Sequence, residues 1–349
     1  MTSPHKTLKT TLSVFTAVAI GLGSLAGICT AATTNEALSV TPPVAAVTKS
    51  SAQDSISVTN FDWKDAARDR EVPVRLYMPE VATASSAAVP LIVFSHGLGG
   101  SRNGYQYLGR FWASQGYASL HVQHIGSDNS LWRGNPLGLT MRLANAAQDS
   151  EAVARAKDVS FALTELLAMP SMAGRLDANR IVAGGHSYGA NTTMLLAGAL
   201  VPGKGENGQA LSLRDPRIKA AMILSAPPFY GYGNPAAILG GIALPTLHIT
   251  ATGDEIMVPG YGSGFEDRVK VFNAMGDVRK TLVVFTGGSH SIFTDRSNTG
   301  GAELNPKVKA ATQALSLAFL KQTLGGEANA VSDWQPKFAD LLARFVPAK

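Results

Sequence analysis

Cysteine is almost absent from this chain, because Cys29 is the only one among 349 residues. A disulfide bond within the chain is therefore excluded, and so is a metal site that needs several thiolates. We also expect Cys29 to lie in a segment that is removed from the mature protein. The stability of the mature protein must then come from a packed core, and 45% hydrophobic residues are sufficient to form one.

Charged residues are also few: they make up 16% of the chain, and no run of like charges occurs. The formal net charge is +5, but the basic residues are scattered along the sequence. A nucleic-acid partner is not expected, because proteins that bind nucleic acid concentrate lysine and arginine in one patch. The oligomeric state stays open.

Long apolar runs are missing too, with one exception at residues 12–28. Lysines precede this run and small residues follow it, which predicts a signal peptide over residues 1–31 and export to the periplasm or out of the cell. A retained membrane anchor is the alternative, but the run is slightly short and is interrupted by polar and glycine residues. A lipid anchor on Cys29 is disfavoured by the large Ile28 before it. We expect no stable membrane span in the mature protein.

Two further segments follow the predicted signal peptide. Residues 32–54 are rich in Ala, Thr, Ser and Pro without periodicity, which predicts a flexible leader. Residues 55–349 are predicted to form a single domain. This domain opens with alternating segments at 55–63 and 70–79, which are expected to pair as antiparallel strands.

The body then alternates short apolar segments with segments of helical spacing. Strands are predicted at 90–97, 117–125, 180–187, 218–227, 245–254 and 280–290. Helices are predicted at 105–114, 149–169, 188–200, 266–275 and 307–323, and a packed terminal helix is predicted within 327–349. Continuous apolar strands between helices predict an α/β fold with a mainly parallel central sheet that helices cover on both faces.

Reactive groups in such sheets collect at the carboxyl ends of the strands. Here those ends carry, in chain order, the glycine-rich "SHGLGGS", then "GGHSYGA", "ATGDEIM" and "TGGSHSIF". Gly185, Ser187 and Gly189 fit the pattern G-x-S-x-G, in which a serine occupies a sharp turn between a strand and a helix. A simple helix cap would explain Ser187 alone, but the order of serine, acid and histidine is typical of an α/β-hydrolase.

Each of these residues has a predicted role. Ser187 is the nucleophile, His290 takes and returns its proton, and Asp254 orients the imidazole. The backbone N–H groups of Tyr188 and Leu98 are expected to form the oxyanion hole. Asp254 is preferred as the acid because it stands first beyond its strand. The competing acids are Glu255, Asp267 and Asp277.

The other histidines of the body have structural interpretations. His96 shapes the glycine-rich loop, His186 points away from the serine, and His248 lies in the core. His121 and His124 would lie on opposite faces of a strand, so shared metal ligation is not expected. "GLGG" does not complete a dinucleotide motif. We therefore predict neither a metal nor a cofactor.

Residues 90–128 together with "GHSYGA" resemble bacterial α/β-hydrolases related to platelet-activating-factor acetylhydrolase, chlorophyllase and the predicted dienelactone hydrolases. The similarity extends over roughly residues 57–323. It implies a serine esterase without a cofactor, with the nucleophile at Ser187, the acid at Asp254, the base at His290 and oxyanion donors at Leu98 and Tyr188. True dienelactone hydrolases use a cysteine nucleophile, so their activity is not implied for this chain.

The expected function is that of a secreted serine hydrolase that cleaves small-molecule or lipid-like carboxylic esters of short to medium acyl length. Polyester or cutinase-like hydrolysis and acyl transfer would use the same triad, as would a peptidase. A non-catalytic binding protein on a hydrolase scaffold is the alternative of another class. Two segments are candidates for the pocket walls, and each is too short for a large lid; their apolar residues are Trp132, Leu137, Leu139 and Met141 in the first and Phe229, Tyr230 and Tyr232 in the second.

Overall fold

A sheet of nine strands organises the structure, a computed structural model that describes residues 56–80, 87–257 and 261–349. Its strand order is β1-β2-β4-β3-β5-β8-β9-β10-β11, and β6 and β7 form a separate pair. The predicted signal peptide and the whole of the predicted leader lie outside the described residues. The strands are β1 (Ile56–Asp65), β2 (Arg70–Pro79), β3 (Val89–Ser95), β4 (Ala118–Val122), β5 (Leu176–His186), β6 (Leu200–Val201), β7 (Leu211–Ser212), β8 (Ile218–Leu224), β9 (Thr246–Gly253), β10 (Lys280–Ser289) and β11 (Leu342–Val346).

The centre of the sheet is parallel and its borders are antiparallel. Strands β4, β3, β5, β8, β9 and β10 pair in parallel. The β1–β2 hairpin adds to β4 in antiparallel orientation, and β11 adds to the far side of β10. The predicted antiparallel entry and the mainly parallel sheet are thus both confirmed.

Helices cover both faces, as the continuous apolar strands predict. Alternate residues of β3 enter different cores: Leu91 and Val93 pack with α3 and α4, whereas Ile92 and Phe94 pack with α1 and α7. Both sets are buried, which explains why the strand sequence does not alternate with polar residues. The helices are α1 (Gln106–Ser114), α2 (Leu139–Ala146), α3 (Asp149–Ala168), α4 (Tyr188–Ala197), α5 (Pro235–Leu239), α6 (Phe265–Ala274), α7 (Gly301–Leu324) and α8 (Ala330–Trp334).

The prediction of a terminal helix within 327–349 is wrong in its secondary structure. Only α8 is α-helical there; a 3-10 segment at Gln335–Leu341 follows, and the chain then enters β11. Pro336 lacks an N–H and cannot continue a helix from α8. The open edge of β10 offers backbone groups that need partners, and β11 satisfies them. The predicted packing does occur, since Trp334 is buried and stacks on Phe338 at 5.2 Å between ring centroids.

The described residues belong to one compact unit. None of the helices described there is both long and apolar enough to cross a bilayer.

Candidate active site

A sharp turn at Ser187 connects the end of β5 to the start of α4. Ser187 has φ 57° and ψ −124°, a positive φ that is uncommon for a residue with a side chain. Its backbone N–H donates a hydrogen bond to the Leu224 carbonyl at the end of β8 (2.9 Å), and its carbonyl accepts one from the Ala190 N–H (2.8 Å). Contacts on both sides therefore hold the strained conformation in place.

The glycines on either side of Ser187 are required by close backbone contacts. A β-carbon at Gly185 would overlap the Gly189 carbonyl, and one at Gly189 would overlap the Ser95 carbonyl at the end of β3. Only glycine allows α4 to begin this close to the sheet. The G-x-S-x-G spacing thus has a steric cause that a simple helix cap would not need.

Ser187, His290 and Asp254 form a continuous chain of hydrogen bonds. Ser187 Oγ lies 2.8 Å from His290 Nε2, and His290 Nδ1 lies 2.6 Å from Asp254 Oδ1. An ionised carboxylate only accepts hydrogen bonds, so Nδ1 carries the proton and Nε2 is left to accept from the serine hydroxyl. The Asp254 side chain is fully buried, whereas 18% of the His290 side chain is exposed.

Asp254 is held in its charged form by its neighbours. Burial by itself would raise the pKa of this carboxyl group, but the hydrogen bond to His290 and the charges of His290 and Arg268 outweigh burial and hold the pKa below its usual range. The Thr250 hydroxyl donates to Oδ2 at 2.7 Å, and Arg268 Nη2 lies 3.3 Å from Oδ1.

The competing acids are engaged elsewhere or point to solvent. Asp267 accepts a hydrogen bond from the backbone at the start of α6, and Asp277 pairs with Arg279. Glu255 is exposed. Of the four acids considered from the sequence, the structure brings Asp254 to His290.

The glycine-rich loop after β3 lies directly beside Ser187. A β-carbon at Gly97 would be 3.2 Å from the Ser187 β-carbon. The next residue is Leu98, and the backbone N–H groups of Leu98 and Tyr188 have no acceptor within the described residues. The N–H of Tyr188 is unpaired because it is the first in α4, where no earlier carbonyl of the helix can accept from it. Neither predicted donor is thus engaged by another described group.

His96 and Ser127 hold the loop in this position. His96 Nδ1–H donates to the Gly97 carbonyl (2.7 Å), and its Nε2 accepts from the His124 N–H (3.1 Å). The Gly99 N–H donates to the Ser127 carbonyl at 2.8 Å. Burial lowers the pKa of His96 well below its usual value, so the ring is neutral, as both hydrogen bonds require. This agrees with the interpretation that His96 shapes the loop.

His186 connects the loop to His290. Its Nε2–H donates to the His290 carbonyl (2.9 Å), and its Nδ1 accepts from the Tyr105 hydroxyl (2.8 Å). The same hydroxyl accepts from the Gly97 N–H at 3.3 Å. Burial lowers the pKa of His186 to about 3, so this ring is also neutral near pH 7. The sequence pattern does not single out Tyr105.

Of the remaining buried histidines, His121 and His124 have hydrogen-bond partners in the protein. His121 Nδ1–H donates to the Gly104 carbonyl (3.1 Å), and His124 Nδ1–H donates to Asp158 (3.1 Å). His248 lies in β9 and packs edge-on against Phe272. Within the described ranges, no group of three or more His, Cys, Asp or Glu residues is arranged to hold a metal ion.

The two predicted wall segments differ in exposure. Trp132 donates from Nε1 to the Gly99 carbonyl (2.8 Å), so its ring lies on the glycine-rich loop while 56% of the residue is exposed. Leu137 and Met141 are 90% and 70% exposed. In the second segment, the Tyr232 hydroxyl donates to Asp149 at 2.8 Å. The first segment therefore carries exposed apolar side chains, of which Trp132 lies on the loop.

Comparisons with known proteins bear on the family and the fold. The family described as "Platelet-activating factor acetylhydrolase, isoform II" matches residues 71–133, which include the glycine-rich loop and Trp132. A solved structure, the ferulic acid esterase from Streptomyces cinnamoneus, matches with a TM-score of 0.55 and 22% sequence identity over 78% of this chain and 90% of that chain. No curated protein matches this chain. The predicted α/β-hydrolase fold is confirmed by the solved structure, and the resemblance to platelet-activating-factor acetylhydrolase is confirmed by the family match, which supports the predicted class of carboxylic ester hydrolase.

Proposed function

We propose that this chain is a serine hydrolase that cleaves carboxylic esters through an acyl-enzyme intermediate. The observation that carries the proposal is the unbroken series of hydrogen bonds from Asp254 through His290 to Ser187, a half-buried serine at a sharp turn. A neutral hydroxyl is a weak nucleophile, and an adjacent oriented base is what activates it.

Acylation begins when Ser187 Oγ attacks the ester carbonyl carbon and its proton passes to His290 Nε2. Asp254 stabilises the imidazolium that forms, while its hydrogen bond holds the ring in the productive orientation. The carbonyl oxygen becomes an anion and accepts hydrogen bonds from the N–H groups of Leu98 and Tyr188. Donors already in place when that charge forms lower the barrier strongly.

The tetrahedral intermediate then collapses. The bond from the carbonyl carbon to the alcohol oxygen breaks, and the leaving alcohol takes the proton from His290. Water attacks the acyl-enzyme in the second half of the reaction and gives one proton to His290. The acid leaves, and the proton returns to Ser187. An acyltransferase would differ only in using another nucleophile in place of water.

The substrate we propose is an ester with a short to medium apolar acyl chain. The exposed side chains of Trp132, Leu137 and Met141 lie on the segment that touches the glycine-rich loop, which supports contact with an apolar group next to the oxyanion site. An open site of this kind would also admit a polyester chain, as in the cutinase-like alternative.

Export is the last part of the proposal, and it rests on the pattern of residues 1–31. Sequencing the N-terminus of the protein recovered from the periplasm and from the medium of the producing cells tests it. A mature protein that retains residues 1–31 in the cell interior would contradict it.

The experiment that tests the activity uses p-nitrophenyl acetate, butyrate, octanoate and palmitate. Ser187→Ala should lower kcat by about 10⁴-fold or more, because loss of the nucleophile leaves only the residual effect of binding and the oxyanion site. Ser114→Ala is the matched control, since the Ser114 hydroxyl donates only to the Phe111 carbonyl of its own helix. The control should keep the parent rate.

Labelling with a fluorophosphonate provides an independent measurement. One label per chain on the peptide that contains Ser187, absent from Ser187→Ala, is the expected result. No labelling together with no hydrolysis would contradict the proposal and favour a binding protein on a hydrolase scaffold.

A further inference from the structure

Arg155 is a fully buried arginine of α3 that forms no ion pair within the described residues. It instead donates three hydrogen bonds: Nε to Thr192 Oγ1 (2.9 Å), Nη1 to Ser127 Oγ (2.8 Å) and Nη2 to the His96 carbonyl. Its guanidinium carbon also lies 4.4 Å from the centre of the Tyr188 ring.

A buried charge without a carboxylate partner is costly, and an apolar side chain of similar volume would avoid that cost. Burial lowers the pKa of Arg155 to about 10, so the group is still charged near neutral pH. The nearest compensation comes through Ser127, whose hydroxyl donates to Glu151 at 2.7 Å. Because burying this charge costs free energy, packing alone does not explain an arginine at this position.

Every contact of Arg155 leads to one of the two predicted oxyanion donors. The His96 carbonyl belongs to the loop that carries Leu98, and the Ser127 carbonyl accepts from the Gly99 N–H of the same loop. On the other side, Tyr188 is itself a predicted donor, and Thr192 Oγ1 donates to the Tyr188 carbonyl at 3.1 Å.

We propose that Arg155 is a positioning residue for the oxyanion hole. It fixes the loop of Leu98 against the first turn of α4, so that the N–H groups of Leu98 and Tyr188 converge on one point beside Ser187. Its positive charge contacts both the loop and the Tyr188 ring, and a positive charge nearby favours the anion that forms in the transition state. Donors fixed before the reaction need no reorganisation when the charge develops. This inference rests on the proposed ester hydrolysis.

The test compares Arg155→Met and Arg155→Lys with the parent protein on p-nitrophenyl butyrate. Methionine removes both the charge and the hydrogen bonds, and kcat should fall about 10²-fold or more, the loss expected when an oxyanion donor is displaced. Lysine keeps the charge, but its single ammonium group cannot replace the three hydrogen bonds of the planar guanidinium. The kcat of Arg155→Lys should therefore lie between those of the parent protein and Arg155→Met. KM should change much less than kcat in both variants.

Arg279→Met is the matched control. Arg279 pairs with Asp277 just before β10, and more than half of its side chain is exposed. Its kcat should stay near the parent value. The rate of every variant is divided by the number of sites that a fluorophosphonate labels at completion, so that a misfolded fraction does not count as a slow enzyme.

A trifluoromethyl ketone gives a readout that a purely structural role would not change. Its adduct with the serine carries the oxyanion, so its inhibition constant should rise in parallel with the loss of kcat/KM across the series. Unchanged inhibition constants in folded Arg155→Met and Arg155→Lys, or kcat values near that of the parent, would overturn the inference. If Arg155→Met does not fold, the lysine variant alone decides. Failure of the parent to hydrolyse any ester or to be labelled would instead overturn the proposed function.

Discussion

The charge of Asp254 depends on a few individual side chains. Arg268 is itself buried, with Nη1 donating to Ser263 Oγ at 2.6 Å and Nη2 lying 3.3 Å from Asp254. It places a buried positive charge next to Oδ1 of Asp254, the same oxygen that His290 contacts. Because burial disfavours a carboxylate, this charge and the contact with His290 together keep Asp254 ionised.

Replacing Arg268 should therefore move the acidic limb of the pH–rate profile. Arg268→Met removes a positive charge that is one cause of the low Asp254 pKa, so this pKa rises and the proton that abolishes activity binds to the site at higher pH. We expect the limb of kcat/KM to shift upward by about 1 pH unit. Rates measured from pH 4 to pH 9 on p-nitrophenyl acetate give the position of the limb.

Arg268→Lys is the control for that experiment because it keeps a positive charge at the position. Its limb should stay close to that of the parent protein. If the acidic limb of the pH–rate profile lies at the same pH in Arg268→Met and in the parent, Arg268 contributes packing alone.

At the scale of an element, the segment between β4 and α3 presents apolar side chains beside the glycine-rich loop. Its conformation is fixed from within: Asp128 caps one 3-10 turn, Asn135 caps the next, and Arg142 donates to the Leu131 carbonyl at 2.9 Å. Trp132 is thereby held on the loop with more than half its surface exposed. A fixed, exposed apolar surface loses little conformational entropy when it binds a chain.

Trp132→Ala should consequently reduce the preference for longer acyl chains. We expect the ratio of kcat/KM for the octanoate ester to that for the acetate ester to fall about tenfold, because a few methylene contacts in an apolar site are worth that much. The ratio is the useful quantity, since loss of the hydrogen bond to Gly99 would affect all esters alike.

Val278→Ala is the control for this change, because Val278 is also exposed (59%) but stands before β10, at the amino ends of the parallel strands. Its ratio should match the parent. An unchanged ratio in Trp132→Ala would show that the acyl chain lies elsewhere.

Elements also explain which parts of the site the sequence can predict. Ser187, Asp254 and His290 each follow a strand, and neighbouring parallel strands end at one edge of the sheet, so strand order is enough to bring them together. Arg155 follows no such rule, because its hydrogen-bond partners lie 28 to 59 residues away and belong to two loops and a helix. The contact of Tyr105 with His186 cannot be predicted from the sequence for the same reason.

The C-terminal segment shows a second limit of sequence-based prediction, the choice between helix and strand. Apolar residues in β11 and the turn before it fit helical spacing as well as a strand, so periodicity alone does not decide between them. The open edge of β10 decides, and this edge exists only once the sheet has formed.

At the scale of the whole molecule, a buried ion cluster connects the entry hairpin to the helix that carries Arg155. Asp158 of α3 is fully buried and lies 2.9 Å from Arg68 and 2.8 Å from Arg70, the residues around the start of β2. His124, after β4, donates to the same carboxylate at 3.1 Å. The antiparallel border of the sheet is thus attached to one helical layer by charge as well as by apolar contact.

Asp158→Asn should lower the free energy of unfolding by about 3 kcal/mol, because it leaves two partly buried guanidinium groups without their shared counter-charge. The comparison is Asp69→Asn, the same chemical change in an exposed pair, where Asp69 lies 2.6 Å from Lys64. Exposed pairs contribute little, so that variant should lose less than about 1 kcal/mol. Urea unfolding followed by circular dichroism measures both values. Equal losses in the two variants would mean that the cluster around Asp158 does not hold the hairpin to α3, and that apolar packing of β2 alone does so.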